Sequence, residues 1–407
     1  MSLSIAMILD KPFPIDPRVE NEALKLIEAG YDVHLLCFKS PEHSLSKEVY
    51  KGIKVSRIEL PNILYKLSAL AYTLPLYHRF LKKRITKFIE EIRADVIHIH
   101  DLPPARSVFW ANRSLQKTIV LDLHENRPEI MKEYAHVQRF PGRILINPST
   151  WKKFERRYMQ KADHTVVVTK EAKEYYLLTN KIEDHKIVVV PNSVSQNFSR
   201  KSKVDDSIGS RYSNDYVLIY IGDTGWRRGI QTVIRAIPII KKQISNIKLI
   251  ILGTSKDRYR LEELAKKQGV TDNVEFLGWI NQDEFPSYIR VAKVGLCPIL
   301  RNVHHDTTYA NKLFQYLSLG VPILVSDCTA QRNLTIDYHV GKVHEADNHK
   351  DFAETLLEIA AEADNYDQYS KNAISSMQSE LSWEHLSVDL IKLYRSIETK
   401  ATNPPPN

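Results

Sequence analysis

The chain has 407 residues, 43% of them hydrophobic and 26% charged, with a formal net charge of +8. That length exceeds one ordinary hydrophobic core, so two domains are expected, with the composition of a soluble globular protein. No run of about 18 apolar residues occurs, which argues against a transmembrane helix, and the three cysteines (Cys37, Cys297, Cys328) sit in apolar surroundings that fit a reducing compartment without a disulfide framework.

The opening, MSLSIAMILDKPFP, has a short apolar run and no basic flank, so it reads as a first strand rather than a signal peptide. The expected location is cytoplasmic. The positive charge favours anionic partners: a nucleotide, nucleic acid or an anionic membrane surface. No nucleic-acid-binding module accompanies it, so no nucleic-acid partner is expected.

Strand and helix signals then alternate. Strands are expected at 4–9, 33–37, 53–58, 96–100, 119–123, 165–168 and 187–190, with a first helix over 18–29 that stops at Gly30. Between Lys66 and Arg93, basic residues interleave with Leu, Tyr, Phe and Ile. This stretch is either a basic amphipathic surface for an anionic membrane or an ordinary helix with a solvated face. Residues 196–214 are polar and aperiodic and read as a linker. A second series follows, with strands at 216–220, 248–252, 274–276, 294–297, 323–325 and 340–343, and helices at 228–240, 261–268, 284–290 and 351–361. An amphipathic helix closes the chain over 383–397, and 398–407 read as disordered.

This rhythm predicts an α/β fold of two Rossmann-like doubly wound domains: 1–195, the linker 196–214, then 215–380, with 381–397 as a terminal helix. Ligands of such sheets sit outside the carboxyl ends of the strands, at a cleft, so polar residues after strands are the candidates. Gly222-Asp223-Thr224-Gly225-Trp226-Arg227-Arg228-Gly229 joins a strand to a helix; its glycines let backbone approach a phosphate, and Arg228 can bind a diphosphate. His100-Asp101 and His124-Glu125 follow strands, and Asn192 follows the last strand of the first half. Arg18 opens the first helix beside Asp16 and Pro17, either as a phosphate ligand or paired with Glu22 one turn on. Asp306 to Ser326 reads as loop, helix, Gly-Val-Pro stop and strand, placing Asp306, Asn311, Lys312 and Gln315 at a helix entrance suited to an anion and a polyol. His304, His305 and Asp306 lack further ligands at metal spacing, so no metal is expected.

Together these segments resemble the GT-B glycosyltransferases of family GT4 over almost the whole chain. The resemblance rests on Asp16-Pro17-Arg18-Val19, His100-Asp101, Asp122-Leu123-His124-Glu125, Ala162-Asp163, Val190-Pro191-Asn192-Ser193, Gly222 through Arg228-Gly229, Asn311-Lys312-Leu313-Phe314-Gln315-Tyr316 with Gly320-Val321-Pro322, and Trp383. Pro12-Phe13-Pro14-Ile15 replaces the family's Gly-Gly loop, Asp223 stands where a basic residue is usual, and Thr307 and Gln315 occupy the places of the paired glutamates.

The resemblance implies retaining transfer of a sugar from a nucleotide diphosphate donor to an acceptor hydroxyl, in polysaccharide or glycolipid synthesis, with neither metal nor other cofactor. It implies catalytic roles for His124, Arg228 and Lys312. Gly222, Asp223, Asp306, Thr307, Asn311 and Gln315 would join Arg228 and Lys312 in holding the donor. Arg18, His100, Asp101, Glu125 and Asn192 would line the acceptor side. The implied acceptor is a glycan or lipid-linked hydroxyl, with the Lys66 to Arg93 surface touching the inner membrane face. A non-catalytic GT-B partner protein and a sugar-nucleotide epimerase are the alternatives.

Overall fold

In the computed structural model, described for residues 2–61, 64, 75–140, 142–198 and 205–402, the chain divides into two compact units. One holds Met1–Pro191 and Ser387–Asn407, the other Asn192–Leu386.

The first unit is built on an eight-stranded sheet in the order β3-β4-β2-β1-β5-β6-β7-β8. Its strands are β1 (Ser4–Pro12), β2 (Asp32–Phe38), β3 (Lys47–Tyr50), β4 (Ile53–Ile58), β5 (Val96–His100), β6 (Thr118–Leu123), β7 (His164–Val167) and β8 (Ile187–Val189). All neighbours are parallel except β3 and β4, a hairpin the sequence reading missed because Lys47–Tyr50 carries little apolar signal. The chain passes from β1 outward to β2 and returns to β5 on the other side, so the sheet order reverses between β1 and β5. Such a reversal opens a crevice at the carboxyl ends of the strands.

The helix Pro17–Glu28 follows β1. Asp16 caps it by accepting from the Arg18 amide at 3.1 Å, and Pro17 starts it with a preset φ. In the helix Leu76–Ile92, Tyr77, Leu81, Ile85, Phe88 and Ile89 all enter the core. That settles the described part of the Lys66 to Arg93 stretch as a helix whose apolar face is filled by its own domain, while Arg79, Lys82, Lys83 and Lys87 are exposed. Residues 66–74 of that stretch lie outside the described residues.

The second unit carries a six-stranded, wholly parallel sheet in the order β11-β10-β9-β12-β13-β14. These strands are β9 (Tyr216–Ile221), β10 (Ile247–Leu252), β11 (Val274–Gly278), β12 (Val294–Cys297), β13 (Ile323–Ser326) and β14 (Gly341–His344). Its order reverses between β9 and β12. Apolar clusters cover the sheet, one including Leu313, Phe314, Tyr316 and Leu317, the other Ile230, Val233, Ile234 and Ile237.

Three expectations need correction. The supposed linker carries the helix Asp206–Arg211, because Ile208 and Tyr212 are buried in the second core. The helix expected from 228 begins instead as a short 3-10 turn, Trp226–Arg228, and restarts at Ile230 after Gly229 in the left-handed region. The terminal helix is broken at Ser387 into Trp383–Leu386 and Val388–Thr402, and it runs into the stretch expected to be disordered. Residues 403–407 lie outside the described residues. No described helix is long and apolar enough to cross a membrane. All three cysteines are buried and free.

Candidate functional site

The candidate residues fall into two groups, one in each unit. In the first, β5 reads Val-Ile-His-Ile-His, and its period of two puts His98 and His100 on one face, both fully buried. Register pairs His100 with Asp122 of β6, and the next turn carries His124. Arg18 lies buried among them. Its Nε and Nη2 donate to the two Asp122 carboxylate oxygens at 3.0 and 2.6 Å, Nη1 donates to the Val190 carbonyl at 2.9 Å, and Nη2 pairs with Glu22 at 2.8 Å. Arg18 is therefore neither a surface residue nor open to a phosphate; it neutralises two buried carboxylates.

His124 Nε2 lies 2.7 Å from Asp122 Oδ2, and Nδ1 faces Asp101 at 3.6 Å and Asp16 at 3.7 Å. Burial alone would lower its pKa, but Asp101, Asp122 and Asp16 outweigh it and hold the group well above the ordinary histidine value. The carboxylates on both sides of the ring thus favour the protonated, cationic form of His124. His100, with Nδ1 3.3 Å from Asp122 and 3.2 Å from His124, is pushed by burial down to about 3 and stays neutral. Asp101, at φ +65°, accepts the His124 amide at 3.1 Å and pairs with Lys11 at 3.3 Å. Glu125 is taken up by Arg127 at 2.7 Å. Sequence reasoning missed His98 and Lys11; the signal for His98 was two histidines at alternate positions of an otherwise apolar strand.

Glu22, His98, His100 and Asp122 offer ligand atoms within 4.8 Å of one another, the arrangement among the described residues that could hold a metal. Arg18 already supplies positive charge to Glu22 and Asp122 there. His304 and His305 do not form such a set: His305 Nδ1 is 2.6 Å from the Leu300 carbonyl, and burial lowers its pKa to about 4.

In the second unit, β9 runs into Gly222, at φ +121°, where a Cβ would stand 3.6 Å from Lys312 Nζ. Gly229, at φ +76°, passes the loop after β12 so closely that a Cβ would meet the Pro298 carbonyl oxygen at 1.6 Å. The helix Asn311–Ser318 is fixed by Tyr316, whose hydroxyl accepts the Ile221 amide at 3.0 Å and donates to the Ile219 carbonyl at 3.3 Å. One turn earlier, Lys312 is thereby buried with Nζ 3.4 Å from the centre of the Tyr220 ring. It has no ion pair or hydrogen bond among the described residues. Burial lowers its pKa to about 7; Cys297 and Asp223 oppose the shift and Arg228 adds to it.

The same helix starts without a side-chain cap, and Asn311 at its first position is exposed. Gln315 is half-buried, one turn on from Asn311. The uncapped helix start and Lys312 present positive charge to an anion, and Gly222, whose own amide donates to the Leu252 carbonyl at 2.8 Å, leaves room beside them. Arg228 stands near it but is held by Asp223, whose Oδ2 lies 3.4 Å from Arg228 Nε and 3.2 Å from Arg227 Nη2.

Other donor-side candidates are engaged within the unit. Asp306 Oδ1 accepts from the Thr329 amide at 2.8 Å and its hydroxyl at 3.0 Å, and the carboxylate pairs with Arg301 at 3.4 Å. Thr307 is buried and donates to the Val303 carbonyl at 2.8 Å. Asn192, half-buried, begins the second unit.

Residues 18–198 match the family model described as Glycosyltransferase Family 4, and residues 202–376 match the model of Glycosyl transferases group 1. The chain is a family 4 glycosyltransferase. This glycosyltransferase is 20% identical to the phosphatidyl-myo-inositol mannosyltransferase of Mycobacterium leprae over 98% of each chain. Other relatives align over less, one at 23% identity over 56% of this chain and 59% of that protein. Among solved structures, the glycosyltransferase resembles sucrose-phosphate synthase from Thermosynechococcus elongatus, at TM-score 0.78 and 17% identity over 98% of this chain and 99% of that one. It also resembles HepE of Anabaena in complex with UDP-glucose, at TM-score 0.73 and 11% identity over 97% and 100%. Both likenesses show the GT-B fold.

Proposed function

We propose that this glycosyltransferase takes its sugar from a nucleoside diphosphate-sugar and passes it, with retention, to an acceptor hydroxyl. The observation that carries the donor class is Lys312: a buried amine without a counter-ion, beside an uncapped helix start and a glycine that leaves room for a ligand. A diphosphate satisfies the amine and the helix start together. Lys312 and the amides would stabilise the charge that develops on the leaving diphosphate, with Arg228 joining them once Asp223 releases it. This set of cations and dipoles asks for no metal ion. The UDP-glucose complex of a structural neighbour supports the same donor class.

In the first unit His124, held by Asp122 through Nε2, would offer positive charge to substrate oxygens. Gln315 would hold hydroxyls of the donor through its amide. A lipid-linked or glycan acceptor is supported by the name of the mycobacterial relative. The exposed Arg79, Lys82, Lys83 and Lys87 would bring the enzyme to an anionic membrane.

A panel of UDP- and GDP-sugars, scored by thermal shift and by donor hydrolysis, tests the donor class. Stabilisation by at least one member, with slow hydrolysis, is the expected result; silence across the panel would overturn it. Co-sedimentation with liposomes should require anionic lipid, and equal failure with neutral and anionic vesicles would remove the membrane from the proposal.

A further inference from the structure

The C-terminal helix Val388–Thr402 belongs to the first unit, and it reaches the buried cluster around Arg18 through one side chain. Tyr394 is fully buried, and its hydroxyl lies 2.7 Å from His98 Nδ1. The two rings lie nearly parallel, at 8° between planes. On its other side, His98 Nε2 faces Glu22 Oε2 at 3.4 Å and Asp122 Oδ2 at 3.9 Å, and neither His98 Nε2 nor Glu22 Oε2 has a hydrogen-bond partner among the described residues, so the carboxylates act on that nitrogen through charge. Glu22 pairs with Arg18, Arg18 grips both oxygens of Asp122, and Asp122 holds His124 at 2.7 Å. Every side chain from Tyr394 to Asp122 is at most 5% exposed. At this burial the side chains depend on one another for partners, and each member fixes the next.

The tautomer of His98 follows from its neighbours. A carboxylate accepts only, so the nitrogen facing Glu22 carries the proton, and the Tyr394 hydroxyl donates to Nδ1. Without that hydroxyl the proton is free to sit on Nδ1, which would turn a lone pair toward Glu22.

We propose that Tyr394 and His98 are positioning residues for His124, acting through Glu22, Arg18 and Asp122, so that the seating of the C-terminal helix sets the orientation of the imidazolium. The proposal rests on the role given to His124 above. Neither residue touches substrate. Their effect is to keep Glu22 ionised and Arg18 aimed at Asp122. Glu22 is the sensitive member. Burial raises its pKa, Arg18 opposes that rise, and Asp122 adds to it, leaving the group at about 7. The charged and titratable groups around it are Arg18 on its own helix, His98 and His100 from β5, Asp122 and His124 from the end of β6, and Tyr394 from the terminal helix. Losing the Nε2–H raises the Glu22 pKa further, so Glu22 takes its proton at higher pH and Arg18 loses a partner there.

The test compares wild type, Tyr394→Phe and Tyr394→Phe/His98→Gln in the full chain; the glutamine amide restores a donor toward Glu22 that needs no tyrosine. Ring-nitrogen NMR of histidine-labelled protein needs no donor substrate. Wild type should show a single His98 tautomer protonated on Nε2, and Tyr394→Phe should show a mixture together with altered His124 ring signals. In turnover, Tyr394→Phe should lower kcat about tenfold with donor KM unchanged, and move the acid limb of the pH profile to higher pH. The double variant should recover most of the rate and the original limb. A Tyr394→Phe protein that melts earlier yet keeps the wild-type histidine signals and pH profile would reduce Tyr394 to packing and overturn the proposal. If wild type turns over no nucleotide sugar while the histidine signals still respond to Tyr394→Phe, the functional reading fails and the positioning stands.

Discussion

The ammonium of Lys312 rests 3.4 Å from the centre of the Tyr220 ring, buried and without a carboxylate partner among the described residues. A cation–π contact compensates only part of the lost hydration of an ammonium. The anion proposed above would supply the missing partner. Replacing Lys312 by Met should leave the fold at least as stable, since a buried charge is removed at similar volume. UDP binding should weaken by about 2–3 kcal/mol, the worth of a charge-assisted contact. Urea unfolding and UDP titration of the variant read the two effects separately.

Lys312 also predicts proton uptake. Its pKa in the folded chain is about 7, against an ordinary 10.5. A bound diphosphate favours the charged form and returns the value upward. Between these limits UDP binding should take up a proton, so its calorimetric heat should vary with the ionisation enthalpy of the buffer, and Lys312→Met should abolish that variation. For stability the sign is the opposite of a salt-bridged lysine. The depressed folded pKa gives a contribution that is full above 10.5 and lost as the pH falls toward 7.

His124 runs the other way. Its folded pKa lies well above the ordinary 6.5, so its contribution is full below that value and is lost as the pH rises through the folded pKa. Urea unfolding of wild type against His124→Asn should therefore show a larger gap at about pH 6 than at high pH. Turnover of wild type should fall on the alkaline side as the imidazolium loses its proton.

Asp223 acts as an internal anion for Arg227 and Arg228, at 3.2 and 3.4 Å. These are partly exposed pairs worth roughly 0.2–1 kcal/mol. Asp223→Asn should thus tighten UDP binding by a few-fold at low salt, with the gain shrinking as salt rises. Weaker binding would mean that Asp223 itself contacts the ligand.

Arg18 and Thr307 should behave as parts of the fold. Arg18→Met leaves Asp122 as an uncompensated buried charge, while Glu22, its pKa no longer held down by Arg18, takes a proton; the change should cost about 3–5 kcal/mol. Arg18→Lys should rescue little, because an ammonium cannot grip both Asp122 oxygens. Thr307→Val should cost about 1 kcal/mol from the lost bond to Val303 and leave donor KM unchanged. A raised KM would return Thr307 to the donor site.

The sequence by itself determined the fold class, the succession of strands apart from Lys47–Tyr50, and two loops after strands as candidate anion sites. Apolar strands of Val, Ile and Leu, helix stops at Gly30 and Gly320, and glycines next to β9 are local signals, and local chemistry produces them. Lys312 and His124 were legible for the same reason: each follows a strand or opens a helix at a carboxyl edge. The partners of those residues were not legible. Arg18 reads as an exposed helix-start arginine, and only its approach to Asp122, distant in sequence, makes it a buried counter-ion. Asp306 and Thr307 read as ligand groups until Thr329 and Val303 claim their oxygens. Tyr394 lies in the last helix, and no local pattern connects it with His98. Charge state follows the same division. A sequence supplies ordinary pKa values, whereas the carboxylates gathered around His124 raise its pKa and burial brings that of Lys312 down to about 7.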